Sequence, residues 1–322
     1  MEMIFLGTSS GTPTKERNVS ALAIKMQQHK AWCLVDCGEG TQHQLLHTPL
    51  SLKHLAAICI THVHGDHCFG LPGLLASAAM AGRTEPMTVV APAPIQTLIQ
   101  TCQQVSDTHL PYAIEFQAVE SLTGPLRLAH FEVTHHALSH RVPSFAYRFA
   151  EGQVARQLNV ERLLADGIPQ GPLWGQVQQG QPIKGPAGES VPAERYLLPA
   201  RKPRAVVVGG DNDAPELLAA AVAGVDVLIH EATYTQAVAA QVGPGPQHSS
   251  AQQVAQFAAL VGLPNLILTH FSARYSSDPD ASSSIFEIAE EAQAHHQGPL
   301  FLAADFDHFL LNQEHELRRL PK

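Results

Sequence analysis

The sequence lacks the long apolar runs and the excess of basic residues that mark two large classes of protein. No stretch approaches 18 consecutive apolar residues, and the opening MEMIFL lacks the basic start and long apolar run of a secretory signal. We therefore expect no membrane span and a cytoplasmic location. The 20 Lys and Arg against 29 Asp and Glu give a net charge of -9, which excludes indiscriminate binding to a polyanion.

Paired cysteines are also missing. The five cysteines, at 33, 37, 59, 68 and 102, are odd in number and include no C-x-x-C pair. This pattern argues against a disulfide framework and favours reduced, mostly buried thiols in a reducing compartment. Histidine, by contrast, is abundant, with 19 copies in 322 residues. Its clustering gives the first indication of chemistry.

Short β-rich runs alternate with helical patterns along most of the chain. Strands are predicted at 4–6, 21–26, 32–35, 58–61, 88–91, 131–134, 145–149, 205–208, 225–229 and 266–269, and helices at 40–46, 71–80 and 250–261. Several predicted strands end at a histidine or an aspartate, and strand ends at one sheet edge can hold metal ligands rigidly. We expect an α/β layered sandwich with helices on both outer faces.

Residues 151–200 have a different character. The segment is polar and rich in glutamine, and GPLWG at 171–175 and GPAG at 185–188 interrupt it. We expect an inserted, flexible arm that builds no core of its own. The basic stretch Arg201-Lys202-Pro203-Arg204 at its base could steer a polyanion, or it could be a solvated loop.

A histidine-rich loop follows the apolar run 58–60 and reads Thr61-His62-Val63-His64-Gly65-Asp66-His67. Imidazole and carboxylate are ligands that zinc prefers. His62 and His64 can present their rings to one ion, while Asp66 and His67, beyond the flexible Gly65, can turn toward a second. The alternative, a solvated loop or an expression tag, is disfavoured because tags are terminal and homopolymeric.

Two ions need more ligands than this loop supplies, and candidates occur downstream. His140, Asp211 and His270 each lie at or just beyond a predicted strand. Asp211 is suited to bridging, because a carboxylate has two oxygens for two cations. From the residues alone, the alternative stays open that each is a hydrogen-bonded core residue.

The loop 62–67 has the form H-x-H-x-D-H and resembles the signature of the metallo-β-lactamase superfamily. Flanking motifs narrow the resemblance to the ribonuclease Z family over about residues 1 to 310. They are PTKERN at 13–18, LVDCGEGTQ at 34–42, SH at 139–140 with VPSFAYR at 142–148, GD at 210–211, HEAT at 230–233, HSS at 248–250 and THFSARY at 269–275. Asn212 stands where that family commonly has threonine.

The resemblance implies the fold, the metals and their ligands. The fold is an α/β metallo-β-lactamase αββα sandwich, with 1–322 as a single domain and 151–200 as its inserted tRNA-binding arm. Two Zn²⁺ ions per subunit are implied, with Mn²⁺ or Co²⁺ as substitutes. One ion would be held by His62, His64, His140 and Asp211, and the other by Asp66, His67, Asp211 and His270.

The implied reaction is removal of the 3′ trailer from precursor tRNA. Cleavage after the discriminator nucleotide would leave a 3′-hydroxyl on the tRNA and a 5′-phosphate on the trailer, and some relatives add exonuclease activity. Asp66 is expected to be the general base, or a ligand only. His248 is expected to protonate the leaving 3′-oxygen, the alternative being a helix cap.

Further residues are assigned supporting roles by the resemblance. Glu231 is expected to orient His248, and Asp36 to hydrogen-bond the metal loop, unless it only ends a strand. RNA contacts are expected from Lys15, Arg17, Arg274, Gly171 and Pro172, although basic residues in polar turns are most often solvated. The family also implies a homodimer in which the arm of one subunit holds RNA that the other cleaves.

Two rival functions follow from the same residues. One is another hydrolase on this scaffold that acts on small phosphodiesters, because a fold alone does not settle the substrate. The other is a noncatalytic protein that binds RNA or metal. The arm argues against the first, and the complete ligand set with His248 argues against the second.

Overall fold

The predicted alternation of strands and helices is present in the structure, a computed structural model that describes residues 1–152, 154 and 156–321. The strands, in chain order, are β1 (Glu2–Gly7), β2 (Ser9–Ser10), β3 (Ala21–Lys25), β4 (Trp32–Val35), β5 (Leu55–Cys59), β6 (Met87–Ala91), β7 (Ile114–Ala118), β8 (Leu126–Leu128), β9 (Phe131–Leu138), β10 (Ser144–Glu151), β11 (Ile183–Lys184), β12 (Ser190–Val191), β13 (Ala205–Val208), β14 (Val227–Glu231), β15 (Leu266–Thr269), β16 (Phe271–Ser272), β17 (Leu300–Leu302), β18 (His308–Leu311) and β19 (Leu317–Arg319).

The helices, in chain order, are α1 (Thr41–Leu45), α2 (Gly65–Cys68), α3 (Leu71–Met80), α4 (Pro94–Val105), α5 (Val160–Ala165), α6 (Pro172–Gln178), α7 (Gln236–Val242), α8 (Ala251–Leu260) and α9 (Ile285–His295). The chain divides into two compact units. The larger consists of Met1–Ala150 together with the part that begins at Arg204, and the smaller consists of Glu151–Pro203.

Two sheets form the centre of the larger unit. One has eight strands in the order β19-β18-β1-β3-β4-β5-β6-β7, and the other has seven in the order β17-β15-β14-β13-β10-β9-β8. Within them, β4, β5, β6 and β7 are parallel neighbours, as are β13, β14, β15 and β17. Parallel strands bring their carboxyl ends to one edge, where ligands bind in such sheets.

Successive side chains on a strand point to opposite faces of its sheet, and the two sheets therefore have three apolar layers. On β1, Met3 and Phe5 belong to the core between the sheets, whereas Ile4 packs with the helices outside the first sheet. On β15, Ile267 faces the inner core and Leu268 packs with the residues of α8 and α9. The expected αββα arrangement is confirmed.

Several helices and strands begin and end close to where the sequence predicts them, while others have no earlier prediction. The bounds of α3, β13 and β15 match the predicted ranges, whereas β5 ends at Cys59, so that Thr61 belongs to the loop. Two unpredicted helices carry recognisable signals. Buried Ile95 and Ile99 lie four residues apart on α4, and a Ser284–Glu287 capping box starts α9.

The smaller unit corrects one expectation. The segment was expected to build no core, but Leu163, Val177, Ile183 and Tyr196 are buried in a common apolar cluster with other residues of the unit. The apolar positions are spread over α5, α6, β11 and a 3-10 turn, so no single window of sequence shows them together. The expectation was wrong because it weighed local composition and not the packing between these short elements.

The expectation of mostly buried thiols is confirmed. Cys33, Cys37, Cys59 and Cys68 are buried and unpaired, and Cys102 is partly exposed. Burial raises the pKa of the Cys33 and Cys68 thiols to about 12, which keeps them protonated and unreactive near neutral pH. Among the described residues, no helix combines the length and the apolar character that crossing a membrane requires.

Candidate metal and catalytic site

The candidate site lies where several strands end. The loop after β5 supplies His62 and His64, the short helix α2 supplies Asp66 and His67, and the loop after β13 supplies Asp211. His270 directly follows β15. Gly210 allows this convergence, because a Cβ at this position would lie 2.7 Å from Cβ of Thr61 and 2.9 Å from a backbone oxygen. Any larger residue would push the Asp211 loop away from the histidine loop.

One group of ligand atoms combines three imidazoles with Asp211. Nδ1 of His64 lies 3.1 Å from Nε2 of His62 and 3.1 Å from Nε2 of His140. The Oδ2 atom of Asp211 lies 3.5 Å from the His62 nitrogen and 3.7 Å from the His140 nitrogen. The four ligand atoms therefore surround one small volume.

A second group lies on the other side of the same carboxylate. Nε2 of His67 is 3.1 Å from Nε2 of His270. The Oδ2 atom of Asp66 lies 3.5 Å from the first of these nitrogens and 3.4 Å from the second. The Oδ1 atom of Asp211 lies 3.4 Å and 3.3 Å from the same two nitrogens. Each oxygen of Asp211 thus faces a different group.

Hydrogen bonds on the outer sides of the rings fix which nitrogens face inward. Nδ1 of His67 donates to Asp36 Oδ2 at 2.7 Å. The Thr61 hydroxyl donates to the same oxygen at 2.9 Å and so accepts from Nδ1 of His62 at 3.0 Å. Both Nε2 atoms then face the site, where their lone pairs can bind a metal ion. Asp36 thus hydrogen-bonds the metal loop and belongs to none of the ligand groups.

The other two strand-end histidines are fixed in the same way. The Thr233 hydroxyl donates to Glu231 Oε2 at 2.5 Å and accepts from Nδ1 of His270 at 3.1 Å. Nδ1 of His140 donates to the backbone oxygen of Gln247 at 2.9 Å. Their Nε2 lone pairs therefore point into the site, as metal ligation requires.

The chemistry of this set fits metal. Ring nitrogens 3.1 Å apart repel each other unless a proton or a metal cation lies between them. The Oδ1 atom of Asp211 is buried and makes no hydrogen bond within the described residues, although a buried carboxylate oxygen needs a partner. Burial also lowers the pKa of His62, which keeps this imidazole neutral. Nitrogen and oxygen ligands of this kind suit zinc and similar ions.

Asp66 is positioned by a contact that sequence reasoning missed. The backbone N–H of Gly11 donates to Asp66 Oδ2 at 2.7 Å. Burial raises the pKa of Asp66, but the charge of His67 and the hydrogen bonds with His270 and His67 outweigh it, and the pKa is well below the ordinary value. Such a weakly basic carboxylate is suited to ligation more than to proton abstraction.

His248 forms a third such group with Asp211 and His270, but its Nδ1 is held by Glu231. Its Nδ1 is 3.0 Å from Glu231 Oε1, and its ring centroid is 5.2 Å from that of His140 and 5.5 Å from that of His270. Burial lowers the pKa of His248, but the charge and hydrogen bond of Glu231 outweigh it and raise the pKa to about 9. Ser250, not His248, caps α8. The pair has the arrangement of a proton donor and its orienting carboxylate.

Asn212 ties these loops together. Its side chain oxygen accepts from the backbone N–H groups of Ser139 and Ala214 at 3.2 Å each, and its side chain nitrogen lies 3.1 Å from Nε2 of His230. Its backbone N–H donates to Glu231 Oε1 at 3.2 Å. The two ends of this amide therefore contact Ser139, Ala214 and His230 together.

Arg17 does not have the expected surface position. Its Nη1 donates to Thr8 Oγ1 at 2.8 Å and to the backbone oxygen of Ala303 at 2.7 Å, and its guanidinium lies over the ring of Phe271. The residue is buried, at 9% exposure, so its charge is used inside the fold. This correction shows Arg17 as a structural anchor of the loop before β3 and not as an RNA contact.

The other expected RNA contacts are accessible. Lys15 and Arg274 are exposed, and the Arg274 guanidinium lies 5.3 Å from the ring centroid of Tyr234, which neighbours His248. Gly171 and Pro172 are exposed at the start of α6 in the smaller unit.

The fold and the site define a metal-binding protein of the metallo-β-lactamase fold. The first 142 residues match the family model described as anti-Pycsar protein Apyc1. Ribonuclease Z of Marinobacter nauticus and that of Pseudomonas putida are each 52% identical over 320 residues, which is 99% of this chain and of each relative. The chain belongs to the ribonuclease Z family.

A solved structure shows the same fold at lower identity. The short form of human tRNase Z is 24% identical, with a TM-score of 0.64 over 97% of this chain and 100% of the human one.

Proposed function

We propose that this protein is a zinc-dependent endoribonuclease that removes the 3′ trailer from precursor tRNA. Cleavage after the discriminator nucleotide would leave a 3′-hydroxyl on the tRNA and a 5′-phosphate on the trailer. The observation that carries the proposal is the site, in which Asp211 joins two groups of metal ligands beside the His248–Glu231 pair. Membership of the ribonuclease Z family over the full chain supports precursor tRNA as the substrate. A cytoplasmic location stays an expectation.

We propose two zinc ions, one for each group, with manganese or cobalt as substitutes. The first would be held by His62, His64, His140 and Asp211, and the second by Asp66, His67, Asp211 and His270. When bound, such a pair of ions activates water and stabilises the negative charge of a phosphodiester during in-line attack. The outer hydrogen bonds of the imidazoles hold the ligands in place without metal.

The protein's own side chains would handle the leaving group. His248 is protonated below its raised pKa, and Glu231 holds its Nδ1, so Nε2–H is free to donate to the leaving 3′-oxygen. Asp66 would act mainly as a ligand, because its Oδ2 already faces two ring nitrogens and accepts from Gly11. The general-base role stays a prediction.

RNA binding would combine the smaller unit with exposed basic residues of the larger unit. Lys15 and Arg274 are exposed, and Gly171 and Pro172 begin α6 of the smaller unit. Contacts of this kind hold the backbone and read its shape, not its sequence. The core of the smaller unit supports a platform of defined shape.

We also propose a homodimer. Leu46, Phe69 and Met80 are 80%, 64% and 90% exposed at the ends of α1, α2 and α3. The helices that carry these side chains pack in one layer outside the first sheet, and exposed large apolar side chains are typical of a contact surface between subunits. The two chains would then contact each other through this helical layer.

The first prediction concerns the reaction itself. Purified protein with zinc, manganese or cobalt should release the trailer from a precursor tRNA, and mapping of the ends should show a 3′-hydroxyl after the discriminator. The Asp66→Ala variant should be inactive because it loses a metal ligand, and chelation of the metal should stop the wild type. An intact trailer with all three metals would refute the ribonuclease function.

The second prediction concerns the proton donor. His248→Ala should lower kcat by about 100-fold or more with a small change in KM, because general acid catalysis contributes about that factor. The donor must be protonated, so activity is present below its pKa and falls as pH rises through it. Glu231→Gln should lower the pKa of His248 and move this alkaline limb of the kcat profile to lower pH. An unmoved limb would show that another group donates the proton.

The third prediction separates the substrate from its rivals. Replacing residues 153–199 with a short Gly-Ser linker should lower kcat/KM for precursor tRNA by more than about tenfold, a loss of about 1.4 kcal/mol of transition-state stabilisation. Hydrolysis of bis(p-nitrophenyl) phosphate should survive, because the metal ligands lie outside the segment. Equal loss of both activities would contradict the separation of RNA binding by this segment from catalysis by the metal site. If the wild type turned over neither substrate, a noncatalytic binding protein would be favoured.

The fourth prediction concerns assembly. The wild type should have about twice the chain mass of 34.7 kDa in light scattering, and Leu46→Glu with Met80→Glu should give the monomer. Leu260→Glu is the matched control, because Leu260 is 84% exposed on α8, away from α1 and α3. Dimers that survive the double substitution would place the interface elsewhere.

A further inference from the structure

A pocket of about 300 Å³ lies beside His248. Its wall is formed by α7, the loop that leads to His248, the first turn of α8, and the side chains of Asp213 and Tyr234. All of these belong to the larger unit. No role described above uses this space, although it borders the proposed proton donor directly.

The polar groups of the pocket are available for a ligand. The half-buried carboxylate of Asp213 makes no hydrogen bond or ion pair with any residue in the described part of the chain, and only its backbone N–H is engaged, with Ser139. The side chain oxygen of Gln236 accepts from the Ser250 hydroxyl, and that of Gln253 accepts from the Ser250 backbone N–H. Within the described part of the chain, their NH₂ groups make no hydrogen bond and can donate to a ligand. The pocket therefore offers an acceptor and donors together.

The negative charge of Asp213 is unfavourable beside a polyanionic substrate. It repels the phosphates of an RNA substrate, so on electrostatic grounds it opposes the proposed reaction. The carboxylate is stabilised instead when it accepts hydrogen bonds from an amino group, as acidic side chains do from the exocyclic amine of cytosine. Among the parts of an RNA, only the bases offer such an amine.

We propose that the pocket receives the base of the nucleotide whose 3′-oxygen leaves, and that Asp213 selects bases with an exocyclic amino group. This inference rests on the proposed function, because His248 would face that 3′-oxygen. The base is attached to the same ribose, so it can enter a pocket that His248 itself lines. Tyr234 and Pro244 offer flat surfaces for the faces of the base, and the volume accommodates a purine.

The test compares two precursor tRNAs that differ by one amino group. One carries adenosine before the cleavage point, and the other carries purine riboside, which has the same rings without the 6-amino group. Wild type should cleave the second with kcat/KM lower by about tenfold, since a hydrogen bond to a charged group is worth at least that factor. Asp213→Ala should cleave the two at equal rates, and Asp213→Asn should show reduced discrimination.

The matched control is Glu216→Ala. Glu216 is an exposed carboxylate three residues along the chain that does not line the pocket, so its removal changes the charge but should leave the tenfold preference. If Asp213→Ala melts early in circular dichroism, Asp213→Asn gives the comparison.

Two results would overturn the inference while leaving the proposed function intact: equal cleavage of both substrates by wild type, or an unchanged preference in both Asp213 variants. No cleavage of either substrate by wild type would instead refute the proposed function, and this inference with it.

Discussion

The structure depends on the burial of one carboxylate, Asp211, between two groups of imidazoles. Burying a charged group is expensive unless it is paired, and Asp211 is only 2% exposed. Its Oδ2 faces His62 and His140, and its Oδ1 faces His67 and His270, all at 3.3 to 3.7 Å. Cations on each side would balance this charge, so each strand end must deliver its ligand to within a few tenths of an ångström.

That accuracy comes from the residues behind the ligands. Asp36 and Thr61 fix His67 and His62 from the first sheet, and Thr233 fixes His270 from the second. Asp36 and His270 both have positive φ, at 59° and 58°, which is a strained conformation for residues other than glycine. The surrounding packing holds this strain, as is common at functional sites.

How much of this could be predicted depends on how local each feature is. The cluster His62 to His67 is contiguous, so its chemistry was evident, and strands such as β13 and β15 followed from their apolar runs. His140, Asp211 and His270 needed the repeated pattern of strand ends or the family resemblance. Arg17 could not be placed, because its burial depends on Ala303 and Phe271, more than 250 residues away. The contact from Gly11 to Asp66 uses a backbone N–H, which leaves no signal in side chain identity.

The net charge of -9 raises the question of how such a chain could hold RNA. Charges separated by more than about 8 Å are largely screened at physiological salt, so the balance near the site matters more than the total. Arg274 is exposed beside Tyr234, and Lys15 is exposed four residues after Gly11, whose N–H contacts Asp66. Arg17 is buried, so bound cations would supply the main positive charge. Basic residues would then position the backbone at the rim, and a lone carboxylate such as Asp213 can be tolerated beside the site only where a base, and not a phosphate, faces it.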